Sequence, residues 1–194
     1  MSAAEVLRLA YSEFLAGEDG AGDKREYWDG FVLAMPGGSV RHSALSTRVL
    51  TELATALYGS SCEPYNSDLR VRVEALNASF YPDVTVICGP IQTASDDSNA
   101  AINPTLLVEV LSPSTQSYDR VAKWNAYSRL ASMKGYLLVD ATTGAVELYE
   151  RDEDPDRWKR TALDGPSGAS LQLTSLGVSL DLGAVFRGWG ELPE

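Results

Sequence analysis

The stretch Thr105-Leu106-Leu107-Val108-Glu109-Val110-Leu111-Ser112-Pro113-Ser114-Thr115 decides the fold of this chain. Its apolar run is dense enough for a central strand with both faces covered. Glu109 interrupts the run on the strand face that it shares with Leu107. A carboxylate in such a place costs free energy unless a cation or hydrogen-bond donors satisfy it. Two interpretations stay open: a buried ion pair with Arg70 or Arg72, or a functional acid.

A second acid, Asp83, follows Pro82 at the start of another apolar run, Val84–Cys88. By itself it is typical of a turn. If the two runs pair as strands, side chains that face each other have β-carbons about 5 Å apart. Two carboxylates at that spacing repel unless a divalent cation lies between them. Magnesium suits such a pair because it takes one or two carboxylates and keeps several waters.

Lys123 lies on a helix predicted over 119–130, one turn after Asp119 and one turn before Tyr127. The three side chains therefore share one face of that helix. A lysine beside a metal can hold or activate an attacking water and offset charge in a phosphorane-like transition state. Taken alone, Lys123 is more typical of a solvated helix surface than of a catalytic site. Its functional interpretation depends on the whole set of residues.

The rest of the chain alternates between helix and strand patterns. The capping box Ser2-x-x-Glu5 predicts a first helix that ends near Gly17, and Asp29-Gly30 predicts a hairpin turn. The other predicted elements are a helix over 43–58, a half-exposed strand over 69–73, central strands over 84–88 and 105–111, a mobile connection over 89–103, a hairpin of 135–140 with 145–150, and a tail of two or three short strands with a turn at 182–186. This order predicts a mixed α/β (α+β) fold, with a mixed central β-sheet flanked by helices in one domain spanning 1–194.

Composition and charge restrict the possible functions. The chain has 194 residues, 44% of them hydrophobic, which suffices for one domain with a continuous core. The net charge of −11 argues against a general nucleic-acid coat protein. Positive charge is concentrated in 111–139, where Arg120, Lys123, Arg129 and Lys134 stand against Asp119 alone. An anionic partner is expected to dock there, unless these bases form an ordinary solvated helix face.

Several classes of site are excluded by what the sequence lacks. His42 is the only histidine, so a metal site built from several histidines is excluded. The sequence contains no glycine-rich phosphate loop, so it does not imply a nucleotide cofactor. Cys62 and Cys88 cannot build a disulfide framework or a zinc site alone, and Cys88 ends a core-like run, which predicts a buried reduced thiol. Neither a signal-peptide pattern nor an apolar run of membrane length is present, so a cytoplasmic protein without membrane contact is expected.

Four motifs occur in a fixed order along the chain: Tyr81-Pro82-Asp83-Val84-Thr85-Val86, Leu107-Val108-Glu109-Val110-Leu111-Ser112-Pro113-Ser114-Thr115, Tyr118-Asp119-Arg120-Val121-Ala122-Lys123, and Tyr127. The series closely resembles a bacterial family of restriction-endonuclease-like proteins in the PD-(D/E)XK nuclease superfamily, formerly a domain of unknown function. The resemblance runs from about Glu26 to Glu150 and includes an opening hairpin and helix at Glu26-Tyr27-Trp28-Asp29-Gly30, Met35 and His42-Ser43.

The resemblance implies a restriction-endonuclease-like core in which Asp83 and Glu109 are catalytic and bind Mg²⁺ (or Mn²⁺). The superfamily lysine two positions after the second acid is replaced by Leu111, as it is in the family resembled. Lys123 from the helix is then the natural substitute. Three further residues are second-tier candidates near the site, of which the first two are more typical of structural roles: Glu26, His42 and Tyr127.

The function implied is a magnesium-dependent endonuclease that hydrolyses DNA phosphodiester bonds, with a homodimer as an assembly to be considered. The alternative is a catalytically inactive protein on the same fold that binds nucleic acid or acts in regulation, which the acidic composition supports because phosphate contacts dominate DNA affinity. A third hypothesis, a silent scaffold, requires Lys123 to point into solvent.

Overall fold

The structure, a computed structural model, describes residues 8–18, 24–35 and 37–193. Within these residues the chain forms two six-stranded sheets and one two-stranded sheet, together with helices. None of the helices in this part of the chain has the length and hydropathy to cross a bilayer. The predicted capping-box residues Ser2 and Glu5 lie outside the described residues.

The helices are α1 (Tyr11–Glu18), α2 (Val40–Ala56), α3 (Trp124–Tyr127) and α4 (Leu182–Val185), with 3₁₀ turns at Glu74–Leu76, Gly165–Ser167 and Trp189–Glu191. A π-helical segment, Tyr118–Lys123, runs directly into α3, and the two together are called the lysine helix. The helix α2 begins three residues earlier than predicted because Ser39 caps it, its hydroxyl accepting a hydrogen bond from the backbone N–H of His42.

The strands are β1 (Arg25–Trp28), β2 (Phe31–Ala34), β3 (Cys62–Asn66), β4 (Arg70–Val73), β5 (Ala78–Phe80), β6 (Val84–Cys88), β7 (Thr93–Ala94), β8 (Asp97–Ala101), β9 (Leu106–Leu111), β10 (Gly135–Asp140), β11 (Ala145–Arg151), β12 (Trp158–Asp164), β13 (Ser170–Leu173) and β14 (Val178–Asp181). The first sheet has the order β2-β1-β5-β4-β8-β7, and the second has the order β12-β11-β10-β9-β6-β3. The strands β13 and β14 form a hairpin. The predicted hairpins at Asp29-Gly30 and after β10 are confirmed.

The second sheet is the mixed central sheet that the sequence predicts. In it, β9 pairs with β10 in parallel and with β6 in antiparallel fashion, with Val108 opposite Val84. Continuing this register places Glu109 beside Asp83, which immediately precedes β6. The pairing on which the two-carboxylate hypothesis depends is therefore present.

Each face of the second sheet is covered by apolar side chains. On one face, Leu45, Val49 and Leu53 of α2 are fully buried against Val86 and neighbouring strand residues. On the other face, a second core joins this sheet to the lysine helix and the first sheet, and its members include Leu107, Tyr127, Tyr136 and Phe80. Glu109 belongs to this second face, so the sheet presents it to the lysine helix.

Two predictions for the first sheet are wrong. The segment 89–103 contains β7 and β8 rather than a simple connection, and β8 pairs in parallel with β4. All four residues of β4 are buried, although its alternation predicted a half-exposed strand. Both errors have one cause: Arg70 forms a buried ion pair with Asp97, and Arg72 contacts Asp96. Polar residues that suggest solvent exposure are here paired inside the fold.

Two further predictions need correction. Cys88 is not a buried reduced thiol, since it is half-buried and forms a disulfide with Cys62 across the edge pair β3 and β6. The helix predicted over 119–130 ends at Tyr127, because a tight turn follows in which Leu130 donates a backbone hydrogen bond to the carbonyl of Tyr127.

Candidate active site

The ammonium group of Lys123 lies at the centre of the candidate site. Its Nζ atom is 3.0 Å from Oε1 of Glu109, 3.0 Å from Oε1 of Glu26 and 3.2 Å from Oδ1 of Asp119. Tyr127 donates a second hydrogen bond to Oε1 of Glu109 at 2.9 Å. Lys123 is only 4% exposed. The hypotheses of a solvated lysine and of a scaffold with Lys123 in solvent are therefore wrong.

The ionisation of this cluster follows from burial and charge. Burial alone would lower the pKa of Lys123, but the charges of Glu109, Glu26 and Asp119 outweigh it and raise the pKa well above its usual value. Burial, together with the charges of the other carboxylates, raises the pKa of Glu109 well above its usual range, although Lys123 opposes the shift. The surrounding carboxylates thus favour the charged form of Lys123, in which its Nζ atom is a hydrogen-bond donor.

Asp83 is held by contacts that are independent of the lysine helix. Its Oδ2 accepts a hydrogen bond of 2.7 Å from the backbone N–H of Val110 and lies 3.3 Å from Nε2 of His42. Its Oδ1 accepts a weaker hydrogen bond, at 3.4 Å, from the hydroxyl of Ser46. Burial alone would lower the pKa of His42, but the hydrogen bond and charge of Asp83 raise it above its usual value. The helix α2 therefore fixes the first acid through two side chains.

One cavity of about 240 Å³ is lined by the charged groups of this site: Glu26, His42, Asp83, Glu109, Asp119 and Lys123. The residues from β2 and the loop after it form one wall, with Leu33, Ala34 and Met35, while Ser112, Ser114 and Thr115 lie on another. The carboxylates and the lysine lie between them. A concave pocket lined mainly by apolar side chains, with a few converging polar groups, is the usual arrangement of a ligand-binding or active site.

The donor set suits a hard divalent cation. Four carboxylates line the cavity, from Glu26, Asp83, Glu109 and Asp119, and Lys123 is the one ammonium that lines it among the described residues. Buried negative charge in such excess requires a further cation or protonation. In the part of the chain that the structure describes, no three His, Cys, Asp or Glu side chains are arranged as a complete metal-binding set. Magnesium does not need such a set, since one or two carboxylates and several waters suffice.

A model of the Uma2 family, described as "Putative restriction endonuclease", matches residues 10–183 of this chain. The chain belongs to the Uma2 family. "Uncharacterized protein slr1290" of Synechocystis sp. is 37% identical over 181 residues, covering 93% of both chains, and "Uncharacterized protein sll1609" of the same organism is 30% identical over 165 residues, covering 85% of this chain and 93% of the relative.

A solved structure shows the same fold. The crystal structure of "a putative nuclease belonging to DUF820" from Anabaena variabilis matches this Uma2 chain with a TM-score of 0.70 and 21% identity, covering 93% of this chain and 98% of the other. The restriction-endonuclease-like family resemblance drawn from the sequence motifs is therefore confirmed.

The structure brings five of the sequence-predicted candidates of the Uma2 chain to the lining of one cavity: Glu26, His42, Asp83, Glu109 and Lys123. The sixth, Tyr127, is joined to the site by its hydrogen bond to Glu109. Glu26 and His42, considered second-tier, contact Lys123 and Asp83 directly. The hypothesis that Arg70 or Arg72 pairs with Glu109 is wrong, because these arginines are paired with acids near β8. The sequence analysis placed Asp119 on the same helix face as Lys123 but did not predict that the two side chains contact each other. The signal for this contact was their spacing of four residues, which is one helical turn.

Proposed function

We propose that this Uma2 chain is a magnesium- or manganese-dependent endonuclease that hydrolyses DNA phosphodiester bonds. The observation that carries the proposal is the convergence of Asp83, Glu109 and Lys123 in one cavity with an excess of buried carboxylates. A structural role alone would favour equal numbers of acids and bases, as in the pair of Arg70 with Asp97.

Asp83 and Glu109 would hold the metal ion. When bound, the ion supplies positive charge to the phosphate oxygens and lowers the pKa of water near it. Both Lys123 and Tyr127 donate to Oε1 of Glu109, which orients the carboxylate and leaves Oε2 free of these two donors. Val110 and His42 orient Asp83 in the same way. The chain thus fixes both acids before a substrate arrives.

Lys123 acts on the substrate side as a fixed positive charge. Three carboxylates surround its ammonium group and favour the charged form, so Lys123 supplies a positive charge beside the phosphate. An ammonium has three N–H donors, so Lys123 would donate to an attacking water or a phosphate oxygen by exchanging one of these carboxylate partners. A cation preorganised in a buried site stabilises the charge that develops in the transition state more strongly than it would in water.

The test is cleavage of supercoiled plasmid DNA with Mn²⁺ or Mg²⁺ by the purified wild type and Glu109→Gln. We expect the wild type to nick the plasmid and Glu109→Gln to lose about a hundredfold or more in rate. Glu63→Gln is the matched control, since Glu63 is an exposed acid on β3 of the same sheet. Equal cleavage by Glu109→Gln and the wild type would exclude Glu109 from the reaction.

A binding protein without turnover is the second candidate. The net charge of −11 opposes the phosphate contacts on which DNA affinity depends, so it counts against an efficient nuclease. Binding of DNA by the wild type without cleavage in any divalent metal would support this candidate and contradict the first.

A further inference from the structure

The groups that would act on the phosphate lie at the floor of the cavity. Glu109 is 3% exposed and Lys123 is 4% exposed, in a cavity of about 240 Å³. Duplex DNA is a stiff rod, with a persistence length of about 50 nm, and it does not bend locally into so small a space without a large cost. Enzymes that act on a base, which the duplex buries, work on single strands or extrude a nucleotide. By the same steric reasoning, a phosphate reaches the floor of this cavity more easily on an unpaired, flexible strand.

We infer that the cavity takes an unpaired DNA strand whose bases lie along β2. This inference rests on the proposed function and deepens it by naming the substrate class. The strand β2 is the edge of the first sheet, and all four of its residues are exposed. Its end forms a wall of the cavity through Leu33 and Ala34, so the strand leads from the reactive groups to the surface.

The face of β2 that continues from the cavity carries an aromatic ring. Leu33 is opposite Glu26 in the β1–β2 register, and Phe31 is opposite Trp28. Alternate residues of a strand share a face, so Leu33 and Phe31 both project from the side that carries Glu26, about 7 Å apart. Leu33 is 40% exposed and Phe31 is 44% exposed. These two residues are called the stacking track.

A cation flanks the outer end of the stacking track. The guanidinium carbon of Arg8 lies 5.3 Å from the ring centroid of Phe31. The Arg8 side chain is 59% exposed and is also ion-paired with the half-exposed Asp29, a surface partner that a phosphate would have to replace. An exposed aromatic ring beside a cation is the combination with which proteins hold single strands, since every base can stack and the backbone is anionic. A second copy of the chain is the other occupant that an edge strand can take. That pairing would use only the backbone of β2, so it would not explain the neighbouring cation or the continuity of the stacking track with the cavity.

The experiment measures fluorescence anisotropy of a labelled single-stranded oligothymidine and of a labelled mixed-sequence duplex of equal length, with Ca²⁺ in place of Mg²⁺. We expect the single strand to bind more tightly than the duplex. Phe31→Ala should weaken single-strand binding by about tenfold or more. Val32→Ala is the matched control, because Val32 is 36% exposed and projects from the opposite face, beside Tyr27. Its affinity for the single strand should equal that of the wild type.

Each other outcome overturns the inference in a recognisable way. Equal binding of duplex and single strand, no binding of the single strand, or equal effects of Phe31→Ala and Val32→Ala would contradict the stacking track. Sedimentation of the wild type and both variants adds a further readout. If the wild type is a dimer that Phe31→Ala dissociates, and DNA affinity is unchanged, then β2 binds a second copy of the chain instead.

The inference and the proposed function fail separately. Cleavage of duplex that is insensitive to Phe31→Ala overturns the inference alone, while Phe31-dependent single-strand binding without cleavage in any metal overturns the proposed function alone.

Discussion

Oδ2 of Asp83 accepts a 2.7 Å hydrogen bond from the backbone N–H of Val110, the residue that follows Glu109 on the neighbouring strand. The two acids are therefore tied to each other through the sheet. Lys123 contacts Glu109 from a separate element, the lysine helix. A hydrogen bond from Tyr136 to the carbonyl of Asp119 fastens that helix to the same sheet. Variants of Asp83 therefore test the first acid separately from the lysine, whereas Glu109 and Lys123 contact each other and their variants are coupled.

Manganese or magnesium should raise the melting temperature of the wild type. A ligand that binds only the folded state stabilises it by about 2.7 kcal/mol at a hundred times its dissociation constant. Asp83→Asn should reduce this shift, because it removes one of the two carboxylates that would hold the ion. Glu63→Gln, which changes an exposed acid, should keep it. A wild-type melting curve that does not respond to millimolar manganese would contradict the metal site.

Glu109→Gln should leave the metal-free protein as stable as the wild type, or more stable by about 1 kcal/mol. The change relieves repulsion among buried carboxylates, and Lys123 keeps Glu26 and Asp119 as partners. The measurement is urea unfolding in excess chelator.

Asp97→Asn is the control for that measurement. It removes the carboxylate that pairs with the buried Arg70 guanidinium, and such a loss costs about 3–5 kcal/mol. If Glu109→Gln is destabilised as strongly as Asp97→Asn, then Glu109 is a structural ion-pair partner and not a strained metal ligand.

The sequence predicted the candidate site better than it predicted the first sheet. Glu109 could be found because an acid inside an apolar run is anomalous, and Lys123 because its helix follows that run. The fixed order of the motifs then carried the family resemblance, which placed both residues in one site with Asp83. These signals are local in the chain, and the pairing of β6 with β9 brings them together as expected.

The errors arise where distant polar residues pair inside the fold. The partner of Arg70 is Asp97, 27 residues away in a segment rich in Ser, Asp and Asn, whose composition indicates a loop. Likewise, Glu26 on β1 contacts Lys123 on the lysine helix. The family resemblance placed Glu26 near the site, but no local pattern around Glu26 indicates that contact. Hydrophobic periodicity does not report on buried ion pairs, because a charged side chain has the same sequence signature in water and in a salt bridge.

Glu147 should contribute stability that is lost in acid. Burial alone would raise its pKa, but hydrogen bonds from Arg120 and Arg160 lower the pKa below its ordinary value of 4.5. A carboxyl whose pKa is lower in the folded state stabilises the protein above the unfolded pKa and loses that contribution as the pH falls through the folded pKa. The difference in unfolding free energy between the wild type and Glu147→Gln should therefore be constant from pH 7 to about 5 and shrink below pH 4.5. A difference that grows in acid would contradict the shift.

Lys123→Met should destabilise the metal-free protein, although the side-chain stem and its packing are kept. The change leaves Glu109, Glu26 and Asp119 buried without their shared cation, and uncompensated buried charge costs about 3–5 kcal/mol. Manganese should restore part of that stability. Urea unfolding with chelator and with manganese measures both effects, and equal stability of the variant and the wild type in chelator would contradict the ion-pair cluster.

The same variant tests the reaction. If Lys123 stabilises the developing charge on the phosphate, cleavage by Lys123→Met should fall by about a hundredfold or more under conditions in which manganese keeps the variant folded. Lys134→Met is the matched control, because Lys134 is an exposed lysine of the same basic segment, and its rate should equal that of the wild type. The melting shift with manganese should persist in Lys123→Met, since Asp83 and Glu109 are unchanged. Undiminished cleavage by Lys123→Met would remove this lysine from the mechanism, and a reduced rate in Lys134→Met would make Lys134 the next candidate.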